Sequence, residues 1–267
     1  MKALRFLFLF AGVVVAGLPA ARAAADDEGV RTVWNGFDRL DFKVEGRACL
    51  LVLPKTPAPG RPWIWRTELF DTDPQVDIAL LARGWHVAYM DVKDLYGSPP
   101  AIRLMGAYYA HAVAFYSLSN RVVLEGFGPG GLSAFNFAVA HPLHVAALYL
   151  DAPVLDLRSW PGHRRDSKEW ADGLAAYGLT EDTLAAYKSG PLDRVAAVTH
   201  AGIPIVVVSG DADTTVPPAE NAAVLEKRYH ELGGDILVIH KPGADHYPFS
   251  LKDPMPVVDF LLRRALF

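Results

Sequence analysis

Arg121-Val122-Val123-Leu124-Glu125-Gly126-Phe127-Gly128-Pro129-Gly130-Gly131-Leu132 is the stretch on which the fold turns. A β-rich apolar run, Arg121 to Phe127, meets four glycines within residues 126–131, and a helical pattern follows to about Ala140. Glycine-rich strand-to-helix junctions serve two different devices. In the first, Gly126, Gly128 and Gly131 satisfy G-x-G-x-x-G, and Asp151 lies 20 residues past Gly131 to meet a ribose hydroxyl of a dinucleotide. In the second, Gly126 and Gly130 flank Gly128 in a nucleophile elbow, G-x-Nu-x-G, where small neighbours allow one strained residue to crest the sheet edge. The cluster follows about four strands, whereas a dinucleotide fingerprint opens its domain, so the elbow is the better reading.

The flanking sequence alternates strands with helices. Residues 36–53 read as two antiparallel strands around Glu45-Gly46-Arg47, and Pro54 to Pro62 as a loop. Trp63-Ile64-Trp65-Arg66 ends a strand, Pro74 to Arg83 is helical, Trp85 to Val92 is a strand and Pro100 to Leu118 a long amphipathic helix. Beyond the elbow come strands at Val145 to Leu150, Ile203 to Ser209 and Ile236 to His240. Helices are expected at Ala219 to Leu232 and Pro254 to Leu266. Residues 154–200 are the least regular part and suit a cap of two or three short helices. This order predicts a mostly parallel α/β sheet, helices on both faces, with ligands at the carboxyl ends of the strands.

Two further loops follow strands at the required places: Gly210-Asp211-Ala212-Asp213-Thr214-Thr215-Val216-Pro217 and Pro242-Gly243-Ala244-Asp245-His246-Tyr247-Pro248. Elbow, acid loop and histidine loop, in that order, resemble the α/β-hydrolase superfamily over nearly the whole chain after its first residues. Within it the look is of secreted bacterial serine esterases and related peptidases. The resemblance implies an eight-stranded-type sheet with a small cap. It makes Asp213 the acid that orients an imidazole and His246 the general base. Asp211 is then structural, and His240 a strand histidine.

The departures from the family pattern matter as much. Gly128 stands at the nucleophile position and has no side chain to attack a carbonyl. Pro129, which should donate one oxyanion-hole N–H, has none. The other donor is expected from the loop after Trp63-Ile64-Trp65, near Arg66, where Trp65-Arg66 replaces the family's His-Gly pair; Arg66 suits either an anion or substrate carboxylate, or a solvated or structural role. Trp160, with His163, Arg164 and Arg165, is a candidate pocket or cap residue. Ser98, Ser133 and Ser159 have no motif that places them at the elbow. The expectation is a pseudo-hydrolase or binder of a small-molecule or carbohydrate ester. The alternatives are a hydrolase using water or an unforeseen serine, and a dinucleotide binder.

Lys2, Arg5, the apolar run Leu7 to Leu18 and Ala21-Arg22-Ala23 read as a secretory signal covering residues 1–23, so residues 24–267 form one exported domain, periplasmic or extracellular. The single Cys49 excludes an internal disulfide. With 26 basic and 30 acidic residues, a net charge of −4 and no basic cluster, nothing points to nucleic acid or a membrane beyond export. No metal or cofactor motif stands beyond the glycine cluster. A hydrophobic content of 51% supplies one large core.

Overall fold

The computed structural model describes residues 29–265 and 267; the expected signal segment lies outside them. In chain order the strands are β1 (Val30–Trp34), β2 (Phe37–Val44), β3 (Arg47–Leu53), β4 (Trp63–Arg66), β5 (His86–Met90), β6 (Val122–Phe127), β7 (Val145–Asp151), β8 (Ile205–Gly210) and β9 (Ile236–Lys241). The α-helices are α1 (Gln75–Leu81), α2 (Pro99–Tyr116), α3 (Gly130–Ala140), α4 (Lys168–Tyr177), α5 (Glu181–Leu184), α6 (Val195–His200), α7 (Ala222–Glu231) and α8 (Met255–Arg264). The strands form one sheet in the order β1-β2-β3-β5-β4-β6-β7-β8-β9. Pairings from β1 through β2 and β3 to β5 are antiparallel; those from β5 through β4, β6, β7 and β8 to β9 are parallel. This is the α/β-hydrolase fold.

The ninth strand is an addition to the eight-stranded expectation. β1 joins β2 through Asn35-Gly36, both with positive φ (48° and 79°), and β2 joins β3 through Glu45-Gly46 in the same way (51° and 77°). Two consecutive left-handed residues make the tight hairpin turn whose twist matches the strands. Asn-Gly was therefore a legible signal for β1. The strand is thin at the edge, with Val30 and Val33 exposed, which blurred its apolar pattern.

Strand alternation divides the core between the two faces. Trp63, Trp65, Leu124, Leu148 and Val207 pack with residues of α2, α3 and α7 on one face. Ile64, Val87, Val123, Val206 and Val208 pack with residues of α1 and α8 on the other. Cys49 is buried in β3, and burial pushes its thiol up to about 12, the thiol of an inert core residue. Between β7 and β8, helices α4 to α6 form the irregular segment, with an apolar cluster of its own. Trp170, Leu174 and Leu184 there meet Tyr96, Leu132 of α3 and Val216 of the acid loop. Among the described residues no helix is long and apolar enough to cross a membrane.

Candidate active site

The elbow is built by glycines that sterics require. A Cβ on Gly126 would stand 2.8 Å from the Gly130 carbonyl oxygen, and one on Gly131 would stand 2.8 Å from Pro153 Cβ and the Val154 oxygen. A Cβ on Gly130 would press on Glu68 Cβ and Thr67 Oγ1 at 3.0 Å. Gly128 crests the turn with φ +47°, the strained conformation the elbow reading requires. Its N–H donates to the Asp151 oxygen (2.9 Å), and its carbonyl accepts from Gly131 (3.0 Å) and Val154 (2.8 Å). A Cβ at 128 would find only ordinary contacts, His246 Nε2 and Phe249 Cζ at 3.5 Å each.

The acid and histidine loops close on this point. Gly210 lets them meet, since a Cβ there would lie 2.4 Å from the Ala244 oxygen. Asp211 accepts from Gly243 N–H (2.5 Å), and Ala212 N–H donates to Ala244 (3.0 Å). Asp245 accepts from the N–H groups of His246 (2.8 Å) and Thr214 (3.2 Å), which hold its carboxyl below the usual carboxylate range. Asp211 is thus structural, as expected, and Asp245 shares that work.

Between the loops, Asp213 Oδ1 accepts from Thr215 N–H (2.9 Å) and Val216 N–H (2.8 Å), which aims Oδ2 at His246 Nδ1, 2.8 Å away. Both side chains are buried. The carboxylate engages Nδ1 and turns the Nε2 edge of the ring toward Gly128. Asp213, His246 and the crest of the elbow therefore stand in sequence, and Gly128 at the crest carries no side chain. Among the described residues no hydroxyl or thiol hydrogen-bonds to the His246 ring. Ser133 is buried within α3, Ser98 precedes α2 and Ser159 Oγ accepts from Asn221 (2.8 Å) in the cap.

The oxyanion side is also incomplete. Pro129 opens α3 without an N–H, as the sequence requires. Trp65 and Arg66, expected beside it, lie elsewhere. Trp65 is fully buried against Trp63, Tyr108 and Phe137 on the α2–α3 face. Arg66, one residue on and therefore on the opposite face, is fully buried too. Its guanidinium meets Asp77 (3.1 Å), Glu125 (3.0 Å) and the Leu69 and Thr72 carbonyls (2.9 and 2.5 Å), and stacks 4.4 Å over Phe127. Burial holds the Asp77 carboxyl well above the usual carboxylate range, against the pull of Arg66. Arg66 therefore braces the strand under the elbow and is closed to any substrate anion.

The residue that borders the elbow is Glu68, in the loop after β4 where the second donor was expected, though the sequence reading did not single it out. Its backbone nitrogen lies 3.4 Å from the position of a Cβ on Gly130, and its N–H has no acceptor among the described residues. Its half-buried carboxyl is pushed up to about 8 by burial and by the charge of Asp91, with Lys93 opposing. Two aromatics were missed as well. Phe249 faces Gly128 and packs on His246 (5.1 Å) and Phe127 (5.1 Å), and Tyr247 stands exposed beside the His246 ring (4.7 Å). His-x-x-Phe spacing after β9 was the available signal. Trp160 is half-buried against Tyr96 (6.2 Å), in the cap cluster that reaches Leu132 and Val216. His163 pairs with Glu220, between β8 and α7 (2.9 Å), and Arg165 with Glu181 of α5 (3.3 Å).

The dinucleotide reading fails on geometry. Asp151 is fully buried, accepts from Ser250 N–H (2.6 Å) and Tyr149 hydroxyl (3.2 Å), and cannot reach a ribose. Gly131 is filled by Pro153 where a pyrophosphate would need access. Among the described residues no three His, Cys, Asp or Glu side chains converge as a metal site.

Comparison with known proteins places this geometry. The profile of the prolyl oligopeptidase family matches residues 89–260, more than half of the chain, from β5 through the elbow and both loops into α8. The chain belongs to the prolyl oligopeptidase family. No curated protein matches it. Solved structures similar to this family member include dipeptidyl peptidase 4 of Porphyromonas gingivalis, with a TM-score of 0.65 and 15% identity over 87% of this chain and 36% of that one. A puromycin-hydrolyzing peptidase of Mycobacterium tuberculosis aligns with a TM-score of 0.63 and 12% identity over 84% and 38%. Est1E from Butyrivibrio proteoclasticus aligns with a TM-score of 0.59 and 16% identity over 85% of this chain and 98% of that one. This prolyl oligopeptidase family member thus spans little more than a third of the peptidases and nearly all of the esterase. At such identities the likeness carries the fold.

Proposed function

We propose that the protein is an exported pseudo-hydrolase that binds a small-molecule or carbohydrate ester at the elbow without forming an acyl-enzyme. The observation that carries this is the ordered Asp213–His246 pair aimed at a residue with no side chain. Loss of the nucleophile from such a triad removes about 10⁶ in kcat. A missing oxyanion donor at Pro129 removes a further factor of about 10²–10³. The export reading rests on residues 1–23.

A second reading has its own support: the pair remains set for proton transfer, and the side chain's place beside Nε2 is open to a water. His246 Nε2 would take a proton from that water as its oxygen adds to the ester carbonyl. The Glu68 N–H would meet the oxyanion, and the imidazolium, steadied by Asp213, would return the proton to the departing alkoxide. Turnover of acetyl, aryl and methyl-uronate esters by the protein and its His246→Ala variant separates the two. The binder reading expects equal, background rates; a rate that falls with His246→Ala establishes the water mechanism and rejects it.

A further inference from the structure

A second cavity lies away from the elbow, where α2 and α3 meet the segment between β7 and β8. It is an open cleft of about 270 Å³, just below the usual run of ligand pockets, roughly 300–1,000 Å³. Its α3 wall is Asn136, Val139 and Ala140, spaced i, i+3, i+4 and so on one helix face. Asn136 is six residues past the first residue of α3, about 9 Å along the axis from the elbow at the usual helical rise.

Ile102 of α2 and Val139 form an apolar floor. Tyr177 and Tyr187 supply aromatic walls from the cap segment. Asn136 spends its Nδ2 on the Gly97 carbonyl (2.9 Å) and the Tyr177 hydroxyl (3.0 Å), so its Oδ1 has no donor among the described residues. Tyr177 in turn donates to the Tyr96 carbonyl (2.8 Å), which locks the aromatic wall onto the core. Arg194 stands at the rim, exposed, and pairs with no carboxylate among the described residues.

The charge pattern is one-sided. The residues lining the cavity include this one cation and no anion. The nearest acid in sequence, Asp193, lies outside the lining: it accepts from Gly190 N–H (3.2 Å) and lies 4.0 Å from Arg158, while its charge opposes that of Arg194 at the Tyr187 hydroxyl. An apolar, aromatic-walled slot with a lone guanidinium at its mouth selects a molecule with a hydrophobic body and one negative end.

We propose that this cavity is a binding site for small aryl-alkyl carboxylates, separate from the elbow. A bound molecule would bridge α2 and α3 to the cap and so fasten the cap to the sheet. The site does not depend on the reading of the elbow, and His246→Ala leaves it intact.

The test is titration calorimetry of the full chain with 3-phenylpropionate, 3-phenylpropan-1-ol and 3-phenylpropylamine. The acid is expected to bind about fivefold more tightly than the alcohol, the scale of one exposed ion pair, and the amine most weakly. Arg194→Gln should erase the preference for acid over alcohol, and Ile102→Trp, which fills the floor, should abolish binding of all three. His246→Ala should bind as the unaltered chain does. Far-ultraviolet circular dichroism and melting show that each variant is folded; Arg194, being exposed, serves if Ile102→Trp does not fold. Absence of 3-phenylpropionate binding at millimolar concentration overturns the proposal. So does equal affinity for acid and alcohol, or binding unmoved by Arg194→Gln.

Discussion

The four glycines of the elbow divide into two kinds. Gly126, Gly130 and Gly131 each stand where any Cβ would strike a neighbour at 3.0 Å or less, so the bend itself demands them. Gly128 stands where a Cβ would touch His246 and Phe249 at ordinary distance, and only its positive φ favours glycine. In a working elbow that strain is borne by the nucleophile. On the proposed reading the scaffold around the turn is kept while its crest presents no side chain, and the two can be tested separately.

The largest effect is expected beneath the turn. Arg66→Ala removes the cation between Asp77 and Glu125, and breaking a buried pair in this way costs about 3–5 kcal/mol. Chemical denaturation should show that loss; a cost under about 1 kcal/mol would mean the brace is unimportant. Gly131→Ala comes next, at about 1–3 kcal/mol from overpacking against Pro153 and Val154. Gly128→Ala should cost only about 1–2 kcal/mol, the strain of a left-handed residue. Equal losses for the two alanines would erase the distinction between structural and vacant glycines.

The smallest effect concerns Glu68. Its carboxyl is raised from 4.5 to about 8, mainly by burial, so the folded chain holds a proton that the unfolded chain has released. Below about 4.5 both states are protonated; between there and about 8 the unfolded chain ionises while the folded chain keeps its proton, which favours the unfolded state, so stability falls as pH rises. Glu68→Gln should flatten the melting temperature across that window. An unchanged slope would show that Glu68 is solvated and not held against the elbow.

The same division explains what the sequence made legible. Elbow, acid loop and histidine loop are written in short runs of glycine, proline and aspartate, whose turn chemistry is local, and the structure brings Asp213 and His246 together from them. Arg66 was misplaced because its fate rests on Asp77 and on Glu125, 59 residues away, and on which face of β4 it occupies. Trp65 went to the core for the complementary reason: its neighbour in sequence faces the other side. Glu68 was missed because it acquires its place from backbone approach across the sheet edge, which no spacing rule encodes, whereas Phe249, three residues past His246, was within reach of the spacing. β1 was overlooked although Asn35-Gly36 announced its hairpin, since two of its apolar residues stay in solvent.

The central claim is that His246 and Asp213 stand ready for a nucleophile that Gly128 does not provide. Intact mass after exposure to a fluorophosphonate measures this directly, because the reagent bonds only to an activated hydroxyl. The unaltered protein should remain unmodified, while Gly128→Ser should gain a single adduct that His246→Ala abolishes. An adduct on the unaltered protein, or none on a folded Gly128→Ser chain, would contradict the account.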